Sequence, residues 1–445
     1  MQRISTYLAV VAGTRAADDG ARAWNPRRRD LWRGLMAAGM ALLAGESAAQ
    51  GFTGQGIFPG NPAPDSFKLP YDFEPVIRLR TFYKNTDTLS GAQQQAWVIG
   101  GFAGLRSPWF GNFFQFGVVG YTSLKLYGPA GEGGTLLLQS DQSSITVLGE
   151  AFGAIRIADQ TLTGYRQLID RPFINAQDTR QLPNTFEAYT LTGASGALSY
   201  TGGYMTKMKT RASESFVWAS QVAGGKGPHE GVIYAGATYA FAGTGFLKVD
   251  NVYSTDVFNT FYIEGRYPIA INDKTKLTLG AQYYPQESVG DNQIGNYSTW
   301  GYGLTANVAY GPVAGQVYYT QTGTGFTTQS PYGDHPSYLN LQQIVFNTAG
   351  EKAWAIRGTV DFATIGAPGL TATAIYASGT DRVNSKTGAA LPNHNETDVR
   401  ADYAFAKGTT LEGLVATIRY SWLRQTGALQ TQTDLRAILN YLVRF

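Results

Sequence analysis

The chain has 445 residues, of which only 15% are charged, against the ~25% usual for soluble domains. Gly (54), Tyr (27) and Phe (23) are abundant and Cys is absent, which excludes a disulfide scaffold and any thiolate metal site or nucleophile. Of the 35 basic and 32 acidic residues, seven Arg and four acids lie in residues 1–49, so the rest carries 28 of each and offers nucleic acid no basic surface.

In chain order, Arg27, Arg28, Arg29 and Arg33 precede an apolar run from Leu35 to Leu43, followed by small residues up to Ala49. A basic segment, a short apolar segment and small residues predict a secretory signal peptide over residues 1–49, cleaved after Ala49, with residues 1–26 as an over-long gene start or an extended n-region. Arg28-Arg29 offers a twin-arginine variant of the same signal. The run is too short for a membrane helix, which takes ~20 residues. Residues 50–75 are Gly/Pro-rich and aperiodic, and are predicted as a periplasmic lead-in.

From residue 76 to 445 the pattern is alternation of period two, as in IRLRTFY (77–83), FYIEGRY (261–267) and LVATIRYSW (414–422). Eighteen such stretches, from 76–84 and 93–104 through to 412–424 and 433–445, are predicted as strands. Their connections alternate in length: short at 158–159, 194–195, 242–244, 311–312 and 407–411, long at 168–184, 207–230, 285–297, 323–352 and 378–396. The stretch 214–222 is a nineteenth candidate, assigned to an outer loop because a single-chain bacterial barrel has an even count. An exported all-β chain of this kind is predicted to be an antiparallel transmembrane β-barrel, because only a closed sheet satisfies its backbone in lipid. Its C-terminal strand alternates Leu435, Ala437, Leu439, Tyr441, Val443 and Phe445 with Asp434, Arg436 and Arg444. The first face meets lipid and Phe445 sits at the periplasmic rim.

A charge on the lipid face costs ~2–4 kcal/mol at mid-bilayer, so the charged positions are assigned to the lumen. This gives Arg78 and Arg80, then Asp398, Arg400 and Asp402, then Arg419, then Arg436 and Arg444. Arg357 and Asp361 are placed opposite Ala353, Ala355 and Val360, in less regular phase. Arginine pairs carboxylates through a planar fork while keeping its charge, so Arg78, Arg80, Arg357, Arg400, Arg419 and Arg436 are predicted to form a basic wall guiding carboxylates. The alternative is a solvated wall paired with Asp398, Asp402 and Asp434. The connection within 164–191 carries Asp170-Arg171 and Asp178-Thr179-Arg180, stiffened by Pro172 and Pro183, and is predicted to fold inward.

His229, His335 and His394 are all placed in outer loops, with no Ser-centred turn beside them, which argues against a barrel hydrolase. HExxH and EF-hand spacings are absent; a loop calcium on Asp291 or Asp381 is the one metal alternative.

LRTFYKN (79–85), DTRQLPNTFEAYTL (178–191), SPYGDHPSYL (330–339) and AGEKAWAIRGTVDF (349–362), with GLTATAIYASG (369–379) and LEGLVATIRYSWLR (411–424), resemble the OprD-type substrate-specific outer-membrane porins. The resemblance runs from about residue 74 to Phe445. It implies an eighteen-stranded barrel, monomeric to trimeric, narrowed by its third and seventh outer loops. Asp178, Arg180, Tyr332 and Asp334, with Arg171 nearby, would then edge the constriction, and Arg80, Arg400, Arg419 and Arg436 would form the basic wall. Ala188 stands where the family often has Gly, and 207–230 has no clear counterpart. The expected activity is facilitated diffusion of small carboxylates without catalysis or cofactor, with a nonselective porin as the alternative. The expected partners are those solutes, outer-membrane lipid and lipopolysaccharide, and the barrel-assembly machinery acting through Phe445.

Overall fold

The computed structural model describes Asn61–Pro62 and residues 72–444 apart from position 242; of residues 442–444 it describes the backbone. The leader, most of the lead-in, Phe445 and the Arg444 side chain lie outside the described residues. Eighteen long strands follow one another: β1 (Glu74–Asp87), β2 (Gln93–Arg106), β3 (Phe114–Tyr127), β4 (Ile145–Ile157), β5 (Gln160–Gln167), β6 (Thr185–Ser195), β7 (Leu198–Lys209), β8 (Val232–Phe241), β9 (Gly245–Ser254), β10 (Phe258–Asn272), β11 (Thr275–Ser288), β12 (Ser298–Tyr310), β13 (Val313–Thr322), β14 (Lys352–Asp361), β15 (Leu370–Thr380), β16 (His394–Ala404), β17 (Leu414–Gln425) and β18 (Gln432–Arg444). Each pairs antiparallel with the next. β18 returns to β1, from Ile77 opposite Val443 to Asp87 opposite Thr433, and closes the sheet. Val217–Trp218 and a helical turn at Ala219–Val222 lie inside the fourth outer loop, so the nineteenth candidate is loop.

Alternation decides which side chains are enclosed. On β1, Arg78, Phe82 and Lys84 are buried while Leu79 is 58% exposed. Trp97, Ile99, Leu304, Val317, Ile356 and Ile418 are exposed in the same way around the ring. In water an apolar belt of this kind would forgo ~25 cal/mol per Å² of burial; against hydrocarbon it forgoes nothing.

β14 corrects one predicted phase. Arg357 lies on the face of buried Ala353 and Ala355, and exposed Trp354 and Ile356 form the other. A bulky outward pair sets that register, and the two alanines face inward because the seventh loop packs onto them. His394 also departs from expectation: it opens β16 instead of lying in a loop. Its imidazole meets Glu351 at 2.5 Å and packs edge-on against Phe346, which extends the strand outward.

Outer loops fill much of the interior. The third outer loop, between β5 and β6, inserts Ile169, Phe173 and Ile174 into an apolar cluster with Phe186, Phe258, Tyr262 and Tyr284. The seventh, between β13 and β14, contributes Tyr332 to that cluster. It also sets Tyr338, Leu339, Leu341 and Phe346 against Tyr318, Ala353, Ala355 and Ile375. The second outer loop, between β3 and β4, sets Leu137 and Leu138 against Phe82, Ala96 and Val98 of β1 and β2.

Candidate functional site

The third and seventh loops are joined edge to edge. Ile174 and Tyr332 form a parallel bridge, the Asn175 N–H donates to the Tyr332 carbonyl at 3.2 Å, and Asn175 Oδ1 accepts the Asp334 N–H at 2.7 Å. A Cβ at Gly333 would sit 2.6 Å from the Asn175 nitrogen, so only glycine admits this approach.

Asp178, on the third loop, is held by two wall arginines. Arg78 Nη1 donates to Asp178 Oδ2, and Arg80 Nη1 and Nη2 donate to its two oxygens at 3.0 and 3.3 Å. Arg78 also donates to the Gln181 carbonyl at 3.0 Å and stacks on Phe102. Arg80 donates to Asn440 and to the Arg180 carbonyl. Burial alone would raise the Asp178 pKa; Arg78 and Arg80 outweigh it and hold the carboxyl below its usual range. The far end of the loop is tethered by Arg171, which meets Asp250 of β9 at 2.6 Å. Gly236, register partner of Asp250, makes that room: a Cβ there would lie 2.1 Å from Asp250 Oδ1.

The register places Arg400, Arg419, Arg436 and Lys84 side by side on β16, β17, β18 and β1. Arg400 pairs with Asp402 at 2.5 and 2.8 Å. Arg436 pairs with Asp434 at 2.8 and 3.0 Å and donates to the Gln342 carbonyl at 2.7 Å, tying the seventh loop to the wall. Lys84 reaches Asp434 at 3.5 Å. Glu396 accepts the N–H groups of Gln343 and Ile344, and Asp398 that of Gln342.

A cavity of about 300 Å³ lies between the loops and this wall, at the lower end of the ~300–1,000 Å³ of small-molecule sites. Arg180, Arg211 and Arg436 line it together with Asp334, His335 and Asn340. Arg180 donates to the Thr135 and Thr179 carbonyls, at 3.1 and 2.9 Å, and Arg211 donates to Thr179 Oγ1. Among the described residues neither forms an ion pair. Burial draws the Arg211 pKa to about 10, with Asp334 opposing, so it is a cation at neutral pH. Burial pulls His335 down to about 3; its Nδ1 accepts from Ser337 N–H, which puts the proton on Nε2 facing Thr328 Oγ1 at 2.9 Å.

Of the predicted residues, Arg180, Asp334 and Arg436 meet at the cavity. Arg78, Arg80 and Asp178 form the pin beside it, and Arg400 and Arg419 continue the wall. Arg357 faces inward on the far side. Arg171 holds a tether, and Tyr332 is a packing residue, stacked on Phe258 with its hydroxyl 2.6 Å from Ser254. Sequence reasoning missed Lys84 and Arg211. Lys84 follows Arg80 on the same period-two face and was legible there; Arg211 opens the loop without a counterpart and carried no signal. Among the described residues no group of three or more acids and histidines could hold a metal, and Asp381 is paired with Lys352 at 3.1 Å.

An eighteen-stranded closed barrel with an apolar exterior and two loops folded into its interior defines a porin-type channel of the outer membrane. Residues 71–445 match the sequence model described as outer membrane porin, OprD family, and the chain belongs to that family. It is 26% identical over 402 residues to Porin D of Pseudomonas aeruginosa, covering 82% of this chain and 89% of that protein. It is 23% identical to Porin-like protein GalP of Pseudomonas putida, covering 71% and 80%. Its fold matches the crystal structure of OccK9 (OpdG) from Pseudomonas aeruginosa with TM-score 0.76 at 22% identity, over 85% of this chain and all of that one. It also matches OpdK from the same organism, solved with vanillate, with TM-score 0.75 at 19% identity, over 84% and 99%.

Proposed function

We propose that the channel passes small carboxylate-bearing solutes selectively, by passive facilitated diffusion. One observation carries the reading: the cavity is bordered by two loop arginines, Arg180 and Arg211, whose hydrogen bonds go to neutral oxygens, beside the wall arginine Arg436. Two guanidinium groups that donate to no carboxylate are ready to receive one from solution, with bidentate geometry on offer. The wider route is the row of Arg400, Arg419 and Arg436, where several shallow sites in series favour entry without trapping. That the relative OpdK was solved with vanillate, itself a carboxylate, is in keeping with this reading.

The reading is tested in planar bilayers, from the reversal potential in a salt gradient and from block by added carboxylates. Anion preference and carboxylate block are expected in the parent channel. Both should fall in Arg180→Ala/Arg211→Ala, with the barrel still heat-modifiable on gels. A parent channel without ion preference, or a double variant with unchanged preference, refutes the reading and leaves a nonselective porin.

A further inference from the structure

The cavity offers more than positive charge, and what it offers narrows the class of solute; this inference rests on the carboxylate reading above. Gln342 and Gln343 of the seventh loop both line it. Gln342 is only 6% exposed, and its Nε2 is committed to Asp434, at 2.8 Å to the carbonyl and 3.1 Å to Oδ1. Its Oε1 has no hydrogen-bond partner, and neither does Oε1 or Nε2 of Gln343. Buried polar atoms left unmet are uncommon in folded proteins, and at these three a solute in the cavity can supply the partner.

The chemistry of these orphans is specific. Two of the three atoms are amide oxygens, which accept hydrogen bonds and cannot donate them. A carboxylate, itself only an acceptor, satisfies the arginines and leaves these oxygens unmet. The solute must therefore bring donors as well as a carboxylate. An ammonium group and a hydroxyl both donate, and the field around the cavity separates them. Arg180, Arg211 and Arg436 surround it. Its one carboxylate, Asp334, already accepts from Asn340 Nδ2 at 2.6 Å and from Gln177 Nε2 at 3.4 Å. A second cation entering there is repelled, whereas a hydroxyl is not. The remaining polar lining supplies further hydroxyl partners in Thr328, Ser330 and Asn347, and no Phe, Tyr or Trp lines the cavity to stack an aromatic ring.

We infer that the constriction is fitted to polyhydroxylated monocarboxylates, acids of the sugar type, in preference to aliphatic, aromatic or amino acids. The carboxylate meets Arg180 and Arg211, and the hydroxyl chain runs along Gln342 and Gln343.

The test is liposome swelling with the full-length channel, using gluconate, hexanoate, benzoate, alanine and uncharged glucose as probes. Gluconate and hexanoate share chain length and charge and differ in hydroxyls. Hydrogen bonds from the hydroxyls to these amide atoms, tempered by pore water, set an expected gluconate preference of roughly tenfold. Gln343→Leu, a change on a half-buried loop position, should lower the ratio of gluconate to hexanoate swelling. Hexanoate or benzoate swelling that equals or exceeds gluconate overturns the inference and leaves the carboxylate reading intact. Alanine ahead of gluconate overturns the choice of hydroxyl over ammonium. Glucose as fast as every acid removes the carboxylate reading itself. A Gln343→Leu channel with the parent's gluconate preference overturns the assignment to these glutamines.

Discussion

Asp178→Asn isolates the pin that holds the third loop across the lumen. The substitution keeps the side-chain shape and removes the charge that Arg78 and Arg80 share. A hydrogen bond to a charged partner is worth ~1.5–3 kcal/mol, and two guanidinium groups lose one each. The Asp178 side chain is 26% exposed, so lumen water recovers part of the loss. The net change is about 2–3 kcal/mol against the pinned loop, a factor of roughly 30–150 in the pinned-to-released ratio. The barrel itself should survive, because closure of β18 on β1 runs through backbone pairs that Asp178 does not enter. In single-channel recordings the variant is expected to show a second, larger conductance level and greater current noise. Adding Arg78→Gln should cost less than the sum of the single changes, because both disrupt one cluster. An Asp178→Asn channel with the parent's single level and quiet baseline refutes the assignment of this cluster as the loop's anchor.

Arg171→Ala strands Asp250, whose side chain is 4% exposed, and breaking a buried pair costs ~3–5 kcal/mol. The channel is expected to unfold at lower temperature, and Asp250→Asn in the same chain should restore most of the loss. His335 should not titrate between pH 8 and 4 by NMR. Its folded pKa of about 3 lies below the ordinary 6.5, so the folded chain binds fewer protons than the unfolded one between those values. The packing around His335 therefore weakens as pH falls from 6.5 toward 3 and is constant above 6.5. Tyr332→Phe removes one hydrogen bond to Ser254, worth ~1 kcal/mol, and should leave ion preference unchanged because Tyr332 does not line the cavity.

Period two is a property of the strand backbone, and so the face of almost every wall residue was readable. Arg78, Arg80, Asp398, Arg400, Arg419 and Arg436 stand on the enclosed face that alternation assigned them. Strand count and closure were readable for the same reason, since turn lengths alternate and a lipid-exposed edge is not tolerated. Ala353 and Ala355 were set on the wrong face, opposite Arg357, because alanines look alike on either face and only the seventh loop's packing on them decides. Loop conformation was the real gap. Nothing in the spacing of Asp178, Arg180 and Arg211 says that the first is pinned, that the second turns into the cavity, or that the third joins it from another loop. Those outcomes depend on the Asn175–Asp334 join and the apolar anchoring of Phe173 on Tyr262 and Tyr284, contacts between segments far apart in the chain.

The same contrast separates wall from loop in function. Lys84, Arg400, Arg419 and Arg436 lie directly across from one another, and like charges so placed destabilise a sheet. The strands answer with as many carboxylates: Glu396, Asp398 and Asp402 on β16 and Asp434 on β18, all within four positions of the row. Seen from the lumen the row stands among strand carboxylates, and these acids also hold the seventh loop through Gln342, Gln343 and Ile344. The loops add Arg180 and Arg211, whose side-chain hydrogen bonds go to neutral oxygens, with Asp334 lining the same cavity. Neutralising a balanced pair together, as in Arg400→Gln/Asp402→Asn, should therefore leave the anion-to-cation permeability ratio near the parent value. Arg180→Ala alone, a single charge removed, should lower it. Reversal potentials on the three channels decide the matter, and a larger shift from the balanced pair than from Arg180 would place the selective field on the wall and not on the loops.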